Sequence, residues 1–577
     1  MIINKPIKFN LLFVYCLMLS ISFIFLFFLY KDDTLLIAQN ALIIIDSIIL
    51  LSVIHLEYYR KKAYATYRLF FKEGLSFYIY TVILILAGWI FILLGSFLDV
   101  SWIVLTNFSL VLTQIGLFVF IFLYIRQYSS FIESTKLYAP HYVLIGFIGL
   151  IVLGSFLLFQ PFSQRINEPF VNSLFTATSA VCVTGLTVNN ISTSYTQVGL
   201  AILLALIQFG GLGIMVLYAS FILFFSGNIS IRGFNITTKA IDIPEKYKSF
   251  QQTIFFIMIY TFVIEFIGAL ILTLRFIYLG FSVGNSITSA IFHSISAFCN
   301  AGFSLYSNNL MGFKSDFIVN ITIICLITFG GIGFMVAYDI FNYFIQKFGR
   351  NKKVVYINPQ TKIVLNMYLI LNLAGMILFF LFENTKSLMG LYPHEKFLAS
   401  LFQVVTARTA GFNTLDIDSL QPITKLLLEV LMLIGANSGS TGGGIKVSTF
   451  FVILSTVFAF IGEKEHVNIQ RHRISYNNIV KSFSLFFSYL SVVVVALGLI
   501  LILDIFDFER VIFEVISAIG TVGLSCGITP YLKSSSKVVI VVLMFIGRVG
   551  PLTFFTALNL SKKNEKVSIP ETEIMIG

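Results

Sequence analysis

Four short segments place a glycine third in a small uncharged triplet: Val183-Thr184-Gly185, Asn300-Ala301-Gly302, Thr409-Ala410-Gly411 and Thr521-Val522-Gly523. Each follows an apolar stretch, such as NSLFTATSAV or FEVISAIG, that is too short for a bilayer crossing of about 20 residues. Unpaired carbonyls are costly in hydrocarbon, so irregular backbone at membrane depth has to line water or bind something. A ring of carbonyls from four such loops can replace the hydration shell of a monovalent cation. Glycine suits this role because it tolerates positive φ and lets neighbouring carbonyls turn toward one axis. No triplet contains a carboxylate, which a Ca²⁺ or Mg²⁺ site would be expected to offer. A single glycine would be explained as readily by close helix packing. Four at matching places argue for one shared site.

The elements that must hold this site are membrane helices. The chain has 577 residues, of which 58% are hydrophobic, 11% are charged and 63 are Phe. A soluble domain of that size would need far more charge to cover its surface. Repeated apolar runs of about 20 residues indicate a polytopic all-α membrane protein. The net charge of +11 lies in connecting loops, which fits membrane topology and gives no ground for a nucleic-acid partner. Five cysteines, Cys16, Cys182, Cys299, Cys325 and Cys526, have no metal or disulfide spacing and are expected to be small buried side chains. The first apolar run follows Lys5 and Lys8 without a small-x-small cleavage site, so it is expected to be a retained anchor.

Four spans come first, near 11–30, 37–57, 77–97 and 102–125. A fourfold cycle follows: a long apolar helix, a short apolar segment with a glycine loop, then a second long helix. Gly185, Gly302, Gly411 and Gly523 are spaced 117, 109 and 112 residues apart, as expected of an internal repeat. The expected units are an N-terminal extension over 1–137, then repeats over 138–235, 236–355, 356–470 and 471–577, the last including a cytoplasmic tail. The loops YYRKKAYATYRLFFK, KFGRNKKVVYINPQTK and EKEHVNIQRHR and the terminal SKKNEK are basic, whereas those around KDDT, FENTKS and DIFDFER are not. With twelve spans and both termini inside, every strongly basic loop is cytoplasmic and all four glycine loops face outside.

Two further features stand out. GANSGSTGGGIKVSTF falls inside the expected second helix of repeat three, and its Gly435, Gly439, Gly442, Gly443 and Gly444 should interrupt it at about 1 kcal/mol each. It is not a phosphate-binding loop, because Ile445 rather than glycine precedes Lys446. Arg548, in MFIGRVGPLT, is an ionisable group within an apolar run and should face a cavity or a partner. Glu265 is a second such charge, either an anchor between helices or an acid of the pore vestibule. His293 is expected to be a satisfied packing residue, and His466 and His472 have no metal spacing.

From about residue 140 onward the chain resembles the Trk/Ktr/HKT superfamily of potassium transporters, most closely its Ktr-type pore subunits. The resemblance rests on TSAVCVTGL, HSISAFCNAGF, TARTAGFNT and SAIGTVGLSCGITP. It extends to QFGGLGIM, FGGIGFMV, GANSGSTGGGIK, GRVGPLT and the closing PETEIMIG. It implies four M1–pore helix–M2 repeats around one pseudo-fourfold pore, to which the four N-terminal helices are an addition. It implies K⁺ bound by filter carbonyls; the alternative within transport is a Na⁺-permeable version, or a Na⁺-coupled one with Na⁺ as a coupling or activating ion. Glycine at all four filter positions favours K⁺, while Val188-Asn189-Asn190 and Ser304 lack acids that relatives often carry there. The resemblance makes the Gly435–Lys446 stretch a mobile gate beneath the filter. Arg548 then acts below it, as a positive barrier to cations or on the loop carbonyls. It also implies a plasma-membrane (bacterial inner-membrane) homodimer in contact with lipids, docked on a cytoplasmic ring of nucleotide-binding regulatory subunits. A membrane-embedded enzyme would need convergent acids, histidines or a metal cluster, and the sequence shows none, so no catalytic residue or cofactor is expected.

Overall fold

In the computed structural model the chain divides into two compact units, Met1–Lys136 and Leu137–Gly577. The structure describes residues 139–213, 216, 250–348, 357–469 and 472–558. The four N-terminal spans, Cys16 and the PETEIMIG tail lie outside the described residues.

The described fold is helical apart from a two-residue β ladder pairing β1 (Asn468–Ile469) with β2 (His472–Arg473). Among the described residues four helices are long and apolar enough to cross a membrane: α1 (Ala139–Phe159), α5 (Phe250–Tyr278), α9 (Pro359–Glu383) and α13 (Tyr476–Leu503). Each presents apolar side chains outward, among them Ile145, Phe266, Leu381 and Val494, as a lipid-facing helix must. After each comes a shorter helix: α2 (Phe170–Val181), α6 (Val283–Phe298), α10 (Pro393–Ala407) and α14 (Phe508–Gly520). These have 12, 16, 15 and 13 residues. At about 1.5 Å per residue none spans a hydrocarbon core of about 30 Å.

The third limbs are α4 (Gln197–Leu212), which the one-turn α3 (Ile191–Ser194) precedes, then α7 (Phe317–Gly331), α11 (Pro422–Leu433) and α15 (Ser534–Val549). Here the structure corrects the expectation of one long second helix per repeat. In repeat two α7 meets α8 (Phe334–Phe348) at a bend of 98°, and in repeat four α15 meets α16 (Pro551–Leu558) at 95°. Repeat three breaks over Ile434–Lys446 before α12 (Val447–Ile461), and α4 ends at Gly213. Gly213, Gly333 and Gly550 all have positive φ at these breaks, a conformation that ends a right-handed helix and that glycine alone adopts readily. Pro551 then opens the next helix, where its missing N–H costs nothing.

Packing runs in a circle. Each short helix lies against the long helix before it and the third limb after it. Each third limb also packs on the short helix of the following repeat: α4 on α6, α7 on α10, α11 on α14, and α15 back on α2. Glycines permit the closest contacts. A Cβ at Gly210, Gly330 or Gly547 would fall well inside 3.0 Å of the carbonyls of Val181, Phe298 and Ile519 respectively.

Glu265 is an anchor and not an exposed vestibule acid. It accepts from Gln208 Nε2 at 3.2 Å and lies 3.8 Å from Cys299 Sγ, tying α5 to α4 and the end of α6. His293 is satisfied by Ser289 O at 2.7 Å and Ser304 Oγ at 3.0 Å. Cys182, Cys299 and Cys526 are buried, but Cys325 is exposed on α7, contrary to the sequence expectation. Its neighbours on that helix pack inward in the helical period and Cys325 falls on the outward face.

Candidate functional site: a four-part carbonyl ring and the loop beneath it

All four predicted triplets meet. Each directly follows the C-terminus of a short helix, so four negative helix ends converge on them, an arrangement that favours a cation. Their backbones share one unusual pattern. The first residue has positive φ, at 55° for Val183, 60° for Asn300, 80° for Thr409 and 50° for Thr521. The glycine is positive again, at 91°, 71°, 76° and 95° for Gly185, Gly302, Gly411 and Gly523, while the middle residue is not. Alternating the sign of φ turns successive carbonyls toward the same side, which an extended or helical backbone does not do.

The ring is closed. A Cβ on Gly302 would lie 2.6 Å from Ala410 O, and Cβ atoms on Gly185, Gly411 and Gly523 would meet Ala301 O, Val522 O and Thr184 O more closely still. Each middle carbonyl therefore abuts the glycine of the preceding repeat, and Thr184 O completes the circuit to repeat four. No side chain larger than hydrogen fits at these glycines with the ring intact.

A hydroxyl in each short helix holds its triplet, a feature absent from the sequence-level candidates. The carbonyls of Ser179, Ser296, Thr406 and Ser517 accept the N–H groups of Thr184, Ala301, Ala410 and Val522 at 2.7–2.9 Å. Their hydroxyls reach further: Ser179 Oγ and Ser517 Oγ accept from Gly185 N and Gly523 N at 3.0 and 3.1 Å. Ser296 Oγ and Thr406 Oγ1 instead donate to Phe303 O and Phe412 O at 2.9 and 2.6 Å. The signal was a Ser or Thr five or six residues before each glycine. Thr406→Val, which keeps the volume and removes the donor, is expected to destabilise the third triplet by about 1 kcal/mol and to lower ion affinity in a binding titration while the protein remains folded.

Arg408 was also missed. It is fully buried immediately before the third triplet, with its guanidinium 3.8 Å from the Tyr368 ring centre. It donates to Asn372 Oδ1 and Gly435 O, both at 3.3 Å, linking the ring to the base of the repeat-three loop. In the segment preceding α2, Glu168 accepts hydrogen bonds from the side-chain amides of Asn172 and Asn189.

The glycine-rich loop lies directly under the ring. A Cβ on Gly442 or Gly443 would strike the hydroxyls of Thr409 or Thr521. At the loop's base Gly435 N donates to Ile445 O at 3.0 Å, and Gly444 packs against Gly435. On one side the loop is stapled to repeat two: to its broken limb through Asn437 N to Gly331 O at 3.1 Å and Phe334 N to Gly439 O at 2.8 Å, and to the end of α6 through Thr441 Oγ1 to Phe298 O at 3.1 Å. On the other side Arg548 crosses from repeat four. It donates to Thr441 O and to Gly210 O, and to Gly211 O at 3.3 Å. Lys446 Nζ donates to Gly442 O at 2.8 Å. All seven residues singled out for a gate, Gly435, Gly439, Gly442, Gly443, Gly444, Lys446 and Arg548, thus occupy one layer below the ring.

Among the described residues no group of three or more His, Cys, Asp or Glu is placed to hold a metal ion. The chemistry offered is backbone oxygen, with the hydroxyls of Thr184, Thr409 and Thr521 buried and without a hydrogen-bond partner among the described residues.

Comparison with known proteins places the chain in a family. Residues 114–567 match the TrkH family, described as cation transport protein. The Ktr system potassium uptake protein B of Bacillus subtilis (strain 168) is 36% identical over 454 residues, 78% of this chain and 99% of the relative. Its namesake from Vibrio alginolyticus is 35% identical over 442 residues, 76% and 95% of the two chains. The potassium/sodium uptake protein NtpJ of Enterococcus hirae is 34% identical over 441 residues, 75% and 96%. The crystal structure of the potassium transporter TrkH from Vibrio parahaemolyticus superposes with a TM-score of 0.59 at 20% identity, covering 84% of this chain and 97% of that one; at that identity the likeness is one of fold. With the family matched over most of its length, this all-α membrane chain belongs to the TrkH family of cation transport proteins.

Proposed function

We propose that this chain is the pore subunit of a K⁺ uptake system, with Val183–Gly185, Asn300–Gly302, Thr409–Gly411 and Thr521–Gly523 forming its filter and the Gly435–Lys446 loop with Arg548 its gate. The observation that carries this is the closed ring of alternating-φ triplets at the negative ends of four helices. The ring offers neutral oxygens and no carboxylate, which suits a weakly hydrated monovalent ion. The names of the relatives, potassium uptake and potassium/sodium uptake, make K⁺ the first ion to test and Na⁺ the second. A potential of about 100 mV supplies about 2.3 kcal/mol per charge, so inward movement needs no ATP chemistry in this chain.

The repeats are assigned to 138–235, 236–355, 356–470 and 471–577. The resemblance carries a plasma-membrane homodimer and a nucleotide-binding cytoplasmic partner, and loop charge supports both termini being cytoplasmic. Expression in a bacterial strain lacking its own K⁺ uptake systems is expected to restore growth and tracer uptake at low external K⁺, with Na⁺ a weak competitor. Growth equal to the empty-vector control, with the chain present in the membrane and a candidate partner co-expressed, would overturn the assignment.

A further inference from the structure

Below the loop lies a cavity of about 1000 Å³ whose lining is unusual for a cation path. Four cationic side chains, Lys446, Arg473, Lys481 and Arg548, face it, and among the described residues its lining includes no carboxylate. The first turns of α12 and α13 open into the same space, through Ser448 and Thr449 and through Ser475 and Asn478. Neither helix has a side-chain cap at its N-terminus. Uncapped N–H groups and a positive helix end attract anions, oxyanions above all. A cation leaving the ring through this cavity would meet four like charges, and two of these already grip the loop: Arg548 on Thr441 O, Lys446 on Gly442 O.

We infer that this cavity binds a phosphate-bearing anion, which competes with the loop carbonyls for Lys446 and Arg548 and so favours the open loop. Charged phosphate oxygens are stronger acceptors than peptide carbonyls, and guanidinium and ammonium donors prefer them. The cavity also provides what such a ligand needs beyond those two residues, since Arg473 and Lys481 are exposed to it and able to receive the phosphate first. The ligand chemistry is shared by a phospholipid headgroup and a soluble phosphate, and the test separates them. The anion's binding is independent of the transport assignment; only its effect on the loop rests on that assignment.

The test uses the purified full chain. Binding of dioctanoyl phosphatidylglycerol and of inorganic phosphate is measured in neutral detergent by native mass spectrometry and by titration. The comparison is with the double variant R473Q/K481Q and with K464Q, which removes an exposed charge outside the cavity. At least one probe is expected to bind wild type and K464Q alike and to bind the double variant at least about tenfold more weakly, the lower end for one hydrogen bond to a charged group. Binding of the lipid that inorganic phosphate does not displace assigns a headgroup; displacement assigns the soluble ion. Absence of binding by either probe, or equal binding to the double variant, overturns the site. Rubidium flux is then compared in liposomes of neutral lipid with and without the bound probe. A rise in wild type that the double variant lacks supports the competition, and binding without any change in a measurable flux overturns it. A chain that binds the anion but passes no ion under any condition counts against the transport assignment and leaves the site standing.

Discussion

Gly185→Ser is expected to abolish discrimination between K⁺ and Na⁺ and to reduce K⁺ uptake at low K⁺ at least about tenfold, without unfolding the protein. Two effects act together at this position. Gly185 has φ of 91°, and a side chain in that conformation costs about 1–3 kcal/mol. Its Cβ would also fall inside 3.0 Å of Ala301 O, so that backbone oxygen, part of the next repeat's triplet, has to move. A carbonyl cage discriminates between ions through the placement and number of its oxygens, and about 1.4 kcal/mol lost in that balance is a tenfold change. The helices that carry the ring bury their own apolar contacts elsewhere, so monodispersity and helical content should survive. The measurement is tracer uptake across a matrix of K⁺ and Na⁺ concentrations. Uptake and selectivity equal to wild type would show that the ion path does not pass through the ring.

Arg548→Gln is expected to act in the opposite direction, raising rubidium flux through the isolated chain in liposomes at least about tenfold. The guanidinium holds Thr441 O of the loop together with Gly210 O and Gly211 O of the first repeat, so it bolts the loop across the layer below the ring. A hydrogen bond to a charged group contributes about 1.5–3 kcal/mol, and losing even one from the closed state changes the open fraction about tenfold. Glutamine is too short and too weak a donor to span the same three carbonyls. Arg548→Lys should give an intermediate flux, because an ammonium keeps the charge but not the forked geometry. An unchanged flux in both variants would mean that Arg548 serves packing alone and that another element closes the path. The two experiments are complementary, since the first tests where ions are selected and the second where they are stopped.

Much of this was legible in the residues. Apolar runs of the right length identified the membrane helices because hydrocarbon leaves a spanning backbone few alternatives. Even spacing of Gly185, Gly302, Gly411 and Gly523 exposed the repeat, and glycine rings and loop glycines were found because backbone that must turn left-handed leaves a compositional mark. What stayed hidden depended on contacts between distant segments. FGGLG, FGGIG and GRVGP were quoted as motifs, yet whether such glycines bend a helix or merely pack it depends on what lies against them. Here the ends of the neighbouring short helices do, and the limbs of repeats two and four turn by more than 90°. Arg408 lies inside TARTAGFNT, yet nothing local to that motif shows that Tyr368, 40 residues earlier, places a ring against it. Glu265 could have been anchor or vestibule acid, and only Gln208 and Cys299, from two other segments, decided for the anchor. The sequence by itself determined the solvent, the repeat and the backbone positions that must be glycine, because these follow from local hydrophobicity and local φ. Tertiary structure decided the closed order of the ring, the partners of Arg548 and the convergence of Arg548 with Lys446, Arg473 and Lys481 on one cavity, because each joins residues more than 60 positions apart, a separation over which local pattern carries no information.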